Sequence, residues 1–232
     1  MSEKKPIILF KLPSRGRPER FFKALDSIVN NLATPYAYHI SCTLDEDDPT
    51  MNNPHTKEKI EQYKNTSISW GLSKSKIDAV NRGMPDIEWD ILVVCSDDIY
   101  FNVYGFDEMV RIEMNQHFKN IDGFLHFYEK DSTTALCVMS IMGKKYYELF
   151  GYIYHPDYVS LFADNEATEV AKMLGKYIYI NYAIMEHLNP AYGYMERDEM
   201  FDIQQEIGWR DDRITYEKRK LKKFDIWNFG QQ

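Results

Sequence analysis

Short apolar runs alternate with longer amphipathic stretches along the first half of the chain. Residues 7–12, 38–44, 68–71 and 91–95 have the length and composition of buried strands. Residues 19–31 instead repeat their apolar side chains every three to four positions, which is the spacing of one buried helix face. Strands that alternate with helices predict a mostly parallel sheet joined by crossover helices, and therefore an α/β fold.

The second half of the chain continues this alternation and then becomes helical. Further strands are predicted at residues 123–128, 135–141 and 177–179, and further helices at residues 58–64, 76–82, 105–118, 143–150 and 166–174. Asp164 or Asn165 is the expected N-cap of the last of these helices. Residues 196–224 are charged and predicted to be helical, and no repeat or Pro/Ser-rich linker divides the chain. We therefore predict one domain, residues 1–195, with a helical C-terminal extension, residues 196–232.

Polar side chains follow directly on each of the first four predicted strands. The carboxyl ends of parallel strands lie at one edge of a sheet, where open α/β folds bind their ligands. We therefore expect these side chains to meet in space. In chain order they are Arg15 and Arg17, Asp45 and Asp47, Ser73 and Lys74, and Asp97 and Asp98.

The adjacent carboxylates of Asp97 and Asp98 would repel each other unless a cation or hydrogen-bond donors neutralised them. A hard divalent cation suits such a pair and bridges to substrate phosphates, while arginine forks suit phosphate directly. Together these groups predict a site for a nucleoside diphosphate. The alternatives are a helix cap or solvated turn for the two aspartates, and surface ion pairs for Arg15 and Arg17. Asp47 and its neighbour Asp48 are expected in a solvated loop.

Several other phosphate- and metal-binding motifs are missing from the sequence. It contains no GxGxxG and no GxxxxGK[ST] motif, which argues against a dinucleotide-binding fold and a P-loop NTPase. The acidic run at residues 45–48 begins like a calcium-binding loop, but Thr50 stands where that loop needs glycine.

Composition narrows the choice of partners and location. The chain of 232 residues has a net charge of −8, so a broad nucleic-acid-binding surface is not expected. Its 17 Tyr and 13 Phe suit stacking on carbohydrates or bases as well as core packing. Cys42, Cys95 and Cys137 each lie in an apolar run, which predicts buried thiols in a reducing compartment. No apolar run reaches the length of a membrane span, and a cytoplasmic location is expected.

The order of the motifs resembles that of glycosyltransferases with the GT-A fold, close to family 2 and similar to soluble members of phage or bacterial type. The resemblance covers most of residues 6–193. It implies a Rossmann-like nucleotide-binding sheet, in which residues 13–17 resemble the opening nucleotide loop and Asp45 resembles the aspartate that contacts the nucleoside. The nucleotide-sugar site expected on this basis comprises Pro13, Ser14, Arg15, Arg17, Asp45, Ser73, Lys74, Ser96 and Asp97.

The same resemblance implies a metal site. Ser96-Asp97-Asp98 resembles the DXD motif, although serine occupies the first acidic position and the motif is therefore partial. Asp98 would be the direct ligand of Mn²⁺ or Mg²⁺, Asp97 would lie nearer the ribose, and His187 resembles the late histidine that completes the metal coordination. A structural histidine is the alternative for His187.

The segment Asp164-Asn165-Glu166 resembles the acidic motif whose aspartate is the catalytic base of inverting members. Asp164 would remove the acceptor proton, with simple helix capping as the alternative. Glu166 would orient the acceptor or lie on a solvated helix face.

The implied activity is metal-dependent transfer of a sugar from a nucleoside diphosphate sugar, most simply a UDP-sugar, to a hydroxyl of a glycan or another acceptor, with inversion. A sugar nucleotidyltransferase, a non-catalytic nucleotide- or glycan-binding protein, and sugar transfer to a modified base of a nucleic acid are the alternatives. The basic run at residues 216–224, with Ile226, Trp227 and Phe229 beside it, predicts a solvated helix face. Contact with a membrane surface or a polyanion is its alternative.

Overall fold

In the computed structural model, which describes residues 4–130 and 135–228, the first four strands lie side by side in one sheet. They are β1 (Ile8–Ser14), β2 (Tyr38–Asp45), β3 (Thr66–Gly71) and β4 (Ile91–Val94). β1 pairs in parallel with both β2 and β4, and β2 pairs in parallel with β3. This arrangement confirms the parallel sheet that the alternating pattern predicts.

Three further strands extend the sheet, which has seven strands in the order β3-β2-β1-β4-β7-β6-β8. They are β6 (Phe124–Phe127), β7 (Ile141–Gly143) and β8 (Tyr177–Ile180). β7 runs antiparallel to β4 and β6, whereas β6 and β8 are parallel. The strand predicted at residues 135–141 is wrong over residues 135–140. Cys137 there is buried and donates its N–H to the Thr168 hydroxyl at 3.0 Å. Burial without strand pairing gives the same apolar signal as a strand.

A separate sheet of two short antiparallel strands was not predicted. It joins β5 (Ile99–Phe101) to β9 (Met185–His187), and Ile99 is the partner of His187. The Leu188 N–H donates to the Asp98 carbonyl at 2.8 Å and extends this pairing. Two segments almost ninety residues apart in sequence are thereby held together at the end of β4.

Eight α-helices surround the sheets in the described part of the chain. They are α1 (Pro18–Asn30), α2 (Pro54–Glu61), α3 (Lys76–Asn81), α4 (Phe106–His117), α5 (Lys144–Glu148), α6 (Ala163–Met173), α7 (Glu199–Ile207) and α8 (Arg213–Leu221). A π-helical turn, Gly208–Asp212, joins α7 to α8. No helix in residues 4–130 and 135–228 is both long and apolar enough to cross a membrane.

Three details of the helices differ from the predictions. α2 begins four residues early because the Asn53 side chain accepts the Thr56 N–H at 2.9 Å and caps a helix that starts with proline. α6 begins at Ala163 with Phe162 at the N-cap, so the capping role predicted for Asp164 or Asn165 is wrong. The apolar spacing of residues 105–118 also predicts a buried Ile112, but Ile112 of α4 is 57% exposed.

The core lies on both faces of the sheet. Along β1, Ile8, Phe10 and Leu12 face one apolar cluster with α1 and α4, whereas Leu9 faces a second cluster with α3, α5 and α6. Strands buried on both faces explain the continuous apolar runs in the sequence. The three cysteines are buried and free, as predicted.

Candidate functional site

A cleft of about 730 Å³ opens at the carboxyl ends of β1 to β4. This volume lies in the range of small-molecule sites, and the position is where open α/β sheets bind ligands. The predicted site residues that line it are Pro13, Ser14, Arg15, Arg17, Asp45, Ser73, Lys74, Ser96, Asp97, Asp98, Asp164 and His187. Glu166 does not line it.

Asp45 forms the buried floor of one end of the cleft. One of its oxygens accepts the Ser73 N–H at 3.0 Å and the Arg82 guanidinium at 3.1 Å, and the other accepts Arg15 at 2.9 Å. Arg15 also contacts Asp47 at 2.5 Å. Arg15, which was predicted to bind phosphate, therefore forms the ion pairs that were its alternative in the sequence analysis.

The loop after β1 turns sharply at Gly16, whose φ of +73° lies in the left-handed region that favours glycine. Its N–H donates to Asp48 at 2.7 Å, and Asp48 also accepts the Thr50 N–H at 3.0 Å. Asp48 is therefore buried, and the solvated-loop prediction is wrong for it because its carboxylate satisfies backbone donors. The Asp47 side chain is 55% exposed, as predicted.

Asp97 ties the loop after β1 to the end of β4. Its carboxylate accepts the Ser14 hydroxyl at 2.7 Å and the Arg17 guanidinium at 3.2 Å. Burial raises the pKa of Asp97, and the charge of Arg17 opposes this effect. Arg17 also forms a bidentate pair with Asp198, with both N–O distances at 2.7 Å. The two Asp97 oxygens are thus already engaged by protein donors.

Asp98 faces a different set of partners. Its Oδ1 accepts the Ser96 hydroxyl, and its Oδ2 lies 3.4 Å from His187 Nε2. His187 Nδ1 lies 2.5 Å from the Glu129 carboxylate on the other side of the ring. Burial disfavours both charged forms, but the ion pair outweighs it. His187 holds the pKa of Asp98 below its usual range, and the two carboxylates raise the pKa of His187 to about 9.

The donor set at this point fits a cation that is shared with a substrate. Within residues 4–130 and 135–228, no three His, Cys, Asp or Glu side chains are arranged to enclose a metal ion. Asp98 and His187 offer one oxygen and one nitrogen atom that could hold a cation, and Glu129 Oε2 is buried with no hydrogen-bond partner in the described residues. Ions such as Mg²⁺ commonly take one or two protein ligands and complete their coordination with waters and substrate phosphates.

Asp164 lies in the first turn of α6 and lines the cleft. Phe162, just before the helix, has a φ of +62°, a strained conformation for a residue with a bulky side chain. Burial raises the pKa of Asp164, opposed by the charge of Lys76. A carboxylate with a raised pKa in a cleft has the property that a general base needs.

Glu166 is separated from the other predicted site residues. Its carboxylate forms a bidentate pair with Arg219, at 2.7 and 2.8 Å, and accepts the Tyr158 hydroxyl at 2.7 Å. Residues two apart on a helix point to different sides, so Glu166 cannot share the direction of Asp164. Its burial also contradicts the alternative of a solvated helix face.

The structure adds residues to the site that the sequence analysis missed. Glu129 follows β6 by two residues, so the rule that selected the ends of the first four strands would have found it. Lys76 begins α3 and lines the cleft, and its charge acts on both Asp98 and Asp164. α7 and the turn after it supply a wall that includes Phe201, Gln204 and Trp209.

Solved structures of other proteins share this architecture, although their sequences differ from this one. No known family profile matches the chain, and no curated protein is similar to it in sequence. Among solved structures, the mannosyltransferase PcManGT from Pyrobaculum calidifontis, in complex with GDP-Man and Mn²⁺, matches 82% of this chain with a TM-score of 0.64 at 12% identity, over 59% of its own length. S. aureus TarS 1-349 in complex with UDP matches 78% of this chain with a TM-score of 0.61 at 12% identity, over 60% of its own length.

A third structure, S. aureus TarS 1-349 in complex with UDP-GlcNAc, matches 78% of this chain with a TM-score of 0.60 at 14% identity, over 58% of its own length. The chain thus spans about three-fifths of the solved proteins that it resembles. The matches agree with the mostly parallel seven-stranded sheet and its flanking helices. The chain therefore has the GT-A glycosyltransferase fold.

Proposed function

We propose that this chain is a metal-dependent glycosyltransferase that moves a sugar from a nucleoside diphosphate sugar to an acceptor hydroxyl, with inversion. The observation that carries the proposal is one cleft of a GT-A fold that joins the Asp98–His187 pair, an arginine-bearing loop and the half-buried base candidate Asp164. Solved proteins of the same fold in complex with GDP-Man and Mn²⁺, or with UDP-GlcNAc, support it.

The donor would lie along the ends of β1 to β4. The nucleoside would contact Asp45, which Ser73 and Arg82 hold in place. The diphosphate would accept hydrogen bonds from the exposed part of the Arg15 guanidinium. Lys74 and Pro13 line the same end of the cleft. A UDP-sugar is the proposed donor.

Asp98 and His187 would hold Mn²⁺ or Mg²⁺ beside the diphosphate. Such an ion, when bound, neutralises the charge that develops on a departing diphosphate. Asp97 accepts hydrogen bonds from Ser14 and Arg17 and so holds the loop after β1 beside Asp98 and His187. Asp97 would lie nearer the ribose of the donor.

Asp164 would be the general base of the transfer step. Its carboxylate accepts the proton of the acceptor hydroxyl while the acceptor oxygen bonds to the anomeric carbon of the sugar. The bond from that carbon to the diphosphate oxygen breaks at the same time, and its electron pair leaves with the diphosphate. Attack from the face opposite the leaving group inverts the anomeric centre through an oxocarbenium-like transition state.

The acceptor side of the cleft suits a sugar. Trp209 and Tyr192 line the cleft with 58% and 54% of their surfaces exposed. Aromatic rings with one free face and a polar edge suit ligands that are apolar on one side and wet on the other. A glycan hydroxyl is therefore the proposed acceptor.

A thermal-shift panel tests the metal and the donor together. Wild-type protein should be stabilised by one nucleoside diphosphate sugar only when Mn²⁺ is added, by about 2.7 kcal/mol at one hundred times the dissociation constant. Asp98→Ala should lose the Mn²⁺-dependent part. Asp157→Ala is the matched control, because Asp157 is 63% exposed and does not line the cleft. Full Mn²⁺-dependent turnover by Asp98→Ala would contradict the assignment.

Product analysis separates the alternatives. A glycosyltransferase releases nucleoside diphosphate from its donor, whereas a binding protein is stabilised without any release. A sugar nucleotidyltransferase would instead form pyrophosphate from a nucleoside triphosphate and a sugar phosphate. The anomeric configuration of the product, observed by NMR, tests inversion.

A further inference from the structure

Glu129 is a buried carboxylate in the cleft that no sequence motif assigned. It is 4% exposed, follows β6 and contacts His187, which is far from it in sequence. We propose that Glu129 is a positioning residue, which fixes the ring of His187 so that Nε2 faces the cation site. The inference rests on the function proposed above and deepens it.

The contact distances define which ring nitrogen can act as a ligand. Glu129 Oε1 lies 2.5 Å from His187 Nδ1, and a carboxylate oxygen accepts hydrogen bonds but does not donate them. Nδ1 therefore carries the hydrogen. In the neutral ring, Nε2, which lies 3.4 Å from Asp98 Oδ2, is then the nitrogen that can offer a lone pair to a cation shared with Asp98.

The backbone alone does not set this arrangement. The pairing of Ile99 with His187 fixes the main chain at the end of β9, but the ring can still rotate and exchange its tautomer. Carboxylates that accept the second N–H of a metal-binding histidine fix both of these properties, and their loss typically weakens metal binding by about 10- to 100-fold.

The second oxygen of Glu129 points to the same role. Oε2 is buried and has no hydrogen-bond partner in residues 4–130 and 135–228. Buried carboxylates with a purely structural role are normally fully paired, as Glu166 is by Arg219 and Tyr158. An unpaired oxygen beside Asp98 and His187 is available to a water in the coordination shell of the ion.

The first test observes the ring directly and does not depend on activity. Nitrogen-15 NMR of the histidine rings in metal-free wild-type protein, at a pH where the ring is neutral, should show His187 with hydrogen on Nδ1 and none on Nε2. In Glu129→Leu, the signal should shift toward the other tautomer. Hydrogen on Nε2 in the wild type would overturn the proposal.

The second test measures Mn²⁺ affinity without donor, by water-proton relaxation. Glu129→Leu should bind Mn²⁺ about 10- to 100-fold more weakly than wild type. Glu129→Gln should lie closer to wild type, because its amide oxygen can still accept the Nδ1 hydrogen, and it serves where the leucine variant does not fold. Asp107→Asn is the control for the loss of a buried carboxylate outside the cleft, and it should leave Mn²⁺ affinity unchanged.

The outcomes separate the two proposals. If the wild-type protein binds no Mn²⁺, the proposed cation site fails. If the wild type binds Mn²⁺ and both Glu129 variants bind it equally well, with the wild-type tautomer, only the role of Glu129 is overturned.

Discussion

Asp97 and Asp98 are neighbours of one residue type, yet their surroundings divide their roles. Ser14 and Arg17 occupy both oxygens of Asp97, and burial raises its pKa. His187 keeps the pKa of Asp98 below its usual range, so that carboxylate is charged where it lines the cleft. Pairs of carboxylates with divergent environments commonly divide chemical tasks in this way.

Asp164→Asn tests the proposed base. The amide cannot accept a proton, so turnover should fall by about 10²- to 10⁴-fold, while donor affinity should stay within a factor of two because Asp164 is not among the donor contacts. Since burial raises the pKa of Asp164, the acid limb of the wild-type rate profile should lie above the usual aspartate range. The measurement is steady-state kinetics with variable donor, acceptor and pH.

Asp157→Asn provides the control for this substitution, because it removes an exposed carboxylate outside the cleft. A loss of donor affinity in Asp164→Asn as large as the loss of turnover would assign Asp164 to binding.

Most of the predicted site residues line the cleft, but the contacts that they make there were not predicted. The rule that polar side chains after parallel strands converge placed Arg15, Asp45 and Asp98 in one cleft. It could not show that Arg15 is held by Asp45 and Asp47, because such pairs depend on loop geometry. Glu166 was grouped with Asp164 because the segment Asp164-Asn165-Glu166 resembles an acidic motif, but residues two apart on a helix point to different sides.

The short strands β5 and β9 were the elements least accessible to prediction. Each has three residues, too few for a period to emerge, and their pairing joins segments far apart in sequence. Yet this pairing brings His187 to Asp98. The long strands β1 and β2, in contrast, have continuous apolar runs that indicate burial on both faces, and both strands were predicted correctly.

The Asp198 side chain links α7 to the loop after β1. This carboxylate caps the helix by accepting the Phe201 N–H at 2.8 Å, and it forms the bidentate pair with Arg17. Arg20 adds a third contact at 3.3 Å. The wall of the cleft that α7 provides is therefore fixed by a cap and an ion pair together.

Two substitutions at Asp198 should separate these contributions. Asn caps helices about as well as Asp, so Asp198→Asn should lose only the partly exposed ion pairs, no more than about 1 kcal/mol. Asp198→Ala should lose roughly 1 kcal/mol more, because the cap is also removed. Urea unfolding measures the free energy of unfolding of both variants, provided that the dependence of that free energy on urea concentration is the same in each. Equal stability of the two variants would show that capping by Asp198 contributes nothing to the free energy of unfolding.

Across the whole molecule, the C-terminal segment is integrated with the α/β sheet. Arg219 of α8 pairs with Glu166 of α6, and Asp212 accepts three backbone N–H groups of residues 159–161 at 2.7–2.8 Å. In the basic run, Tyr216 and Arg219 are buried and Lys220 pairs with Glu169, so only part of that helix is a solvated face. Phe229 lies outside the described residues.

The boundary between residues 1–195 and 196–232 remains a prediction. Charge and helical pattern defined it in the sequence, but neither property reports long-range contacts such as that between Arg219 and Glu166. The parallel pairing of the first four strands was more accessible, because the alternation of strands and helices favours a parallel sheet with crossover helices.

A buried histidine should make the stability of the fold depend on pH. His126 on β6 is 2% exposed, lies between Tyr177 and Tyr179, and contacts the Tyr177 hydroxyl through Nδ1 at 2.7 Å. Burial, aided by the charge of Lys172, lowers the pKa of His126 to about 4. In the unfolded chain its pKa is about 6.5, so the unfolded state binds more protons between these two values.

The stabilising contribution of neutral His126 is therefore complete above pH 6.5 and is lost as the pH falls toward 4. It amounts to at most about 3 kcal/mol, from 1.36 kcal/mol for each pKa unit. His126→Phe keeps an aromatic ring and cannot titrate. Between pH 7 and pH 4, the unfolding free energy of the wild type should therefore fall by that amount relative to the unfolding free energy of the variant. Urea unfolding at several pH values measures it. Because the other titrating groups are common to both proteins, a difference that is constant with pH would show that the pKa of His126 is the same in the folded and unfolded states.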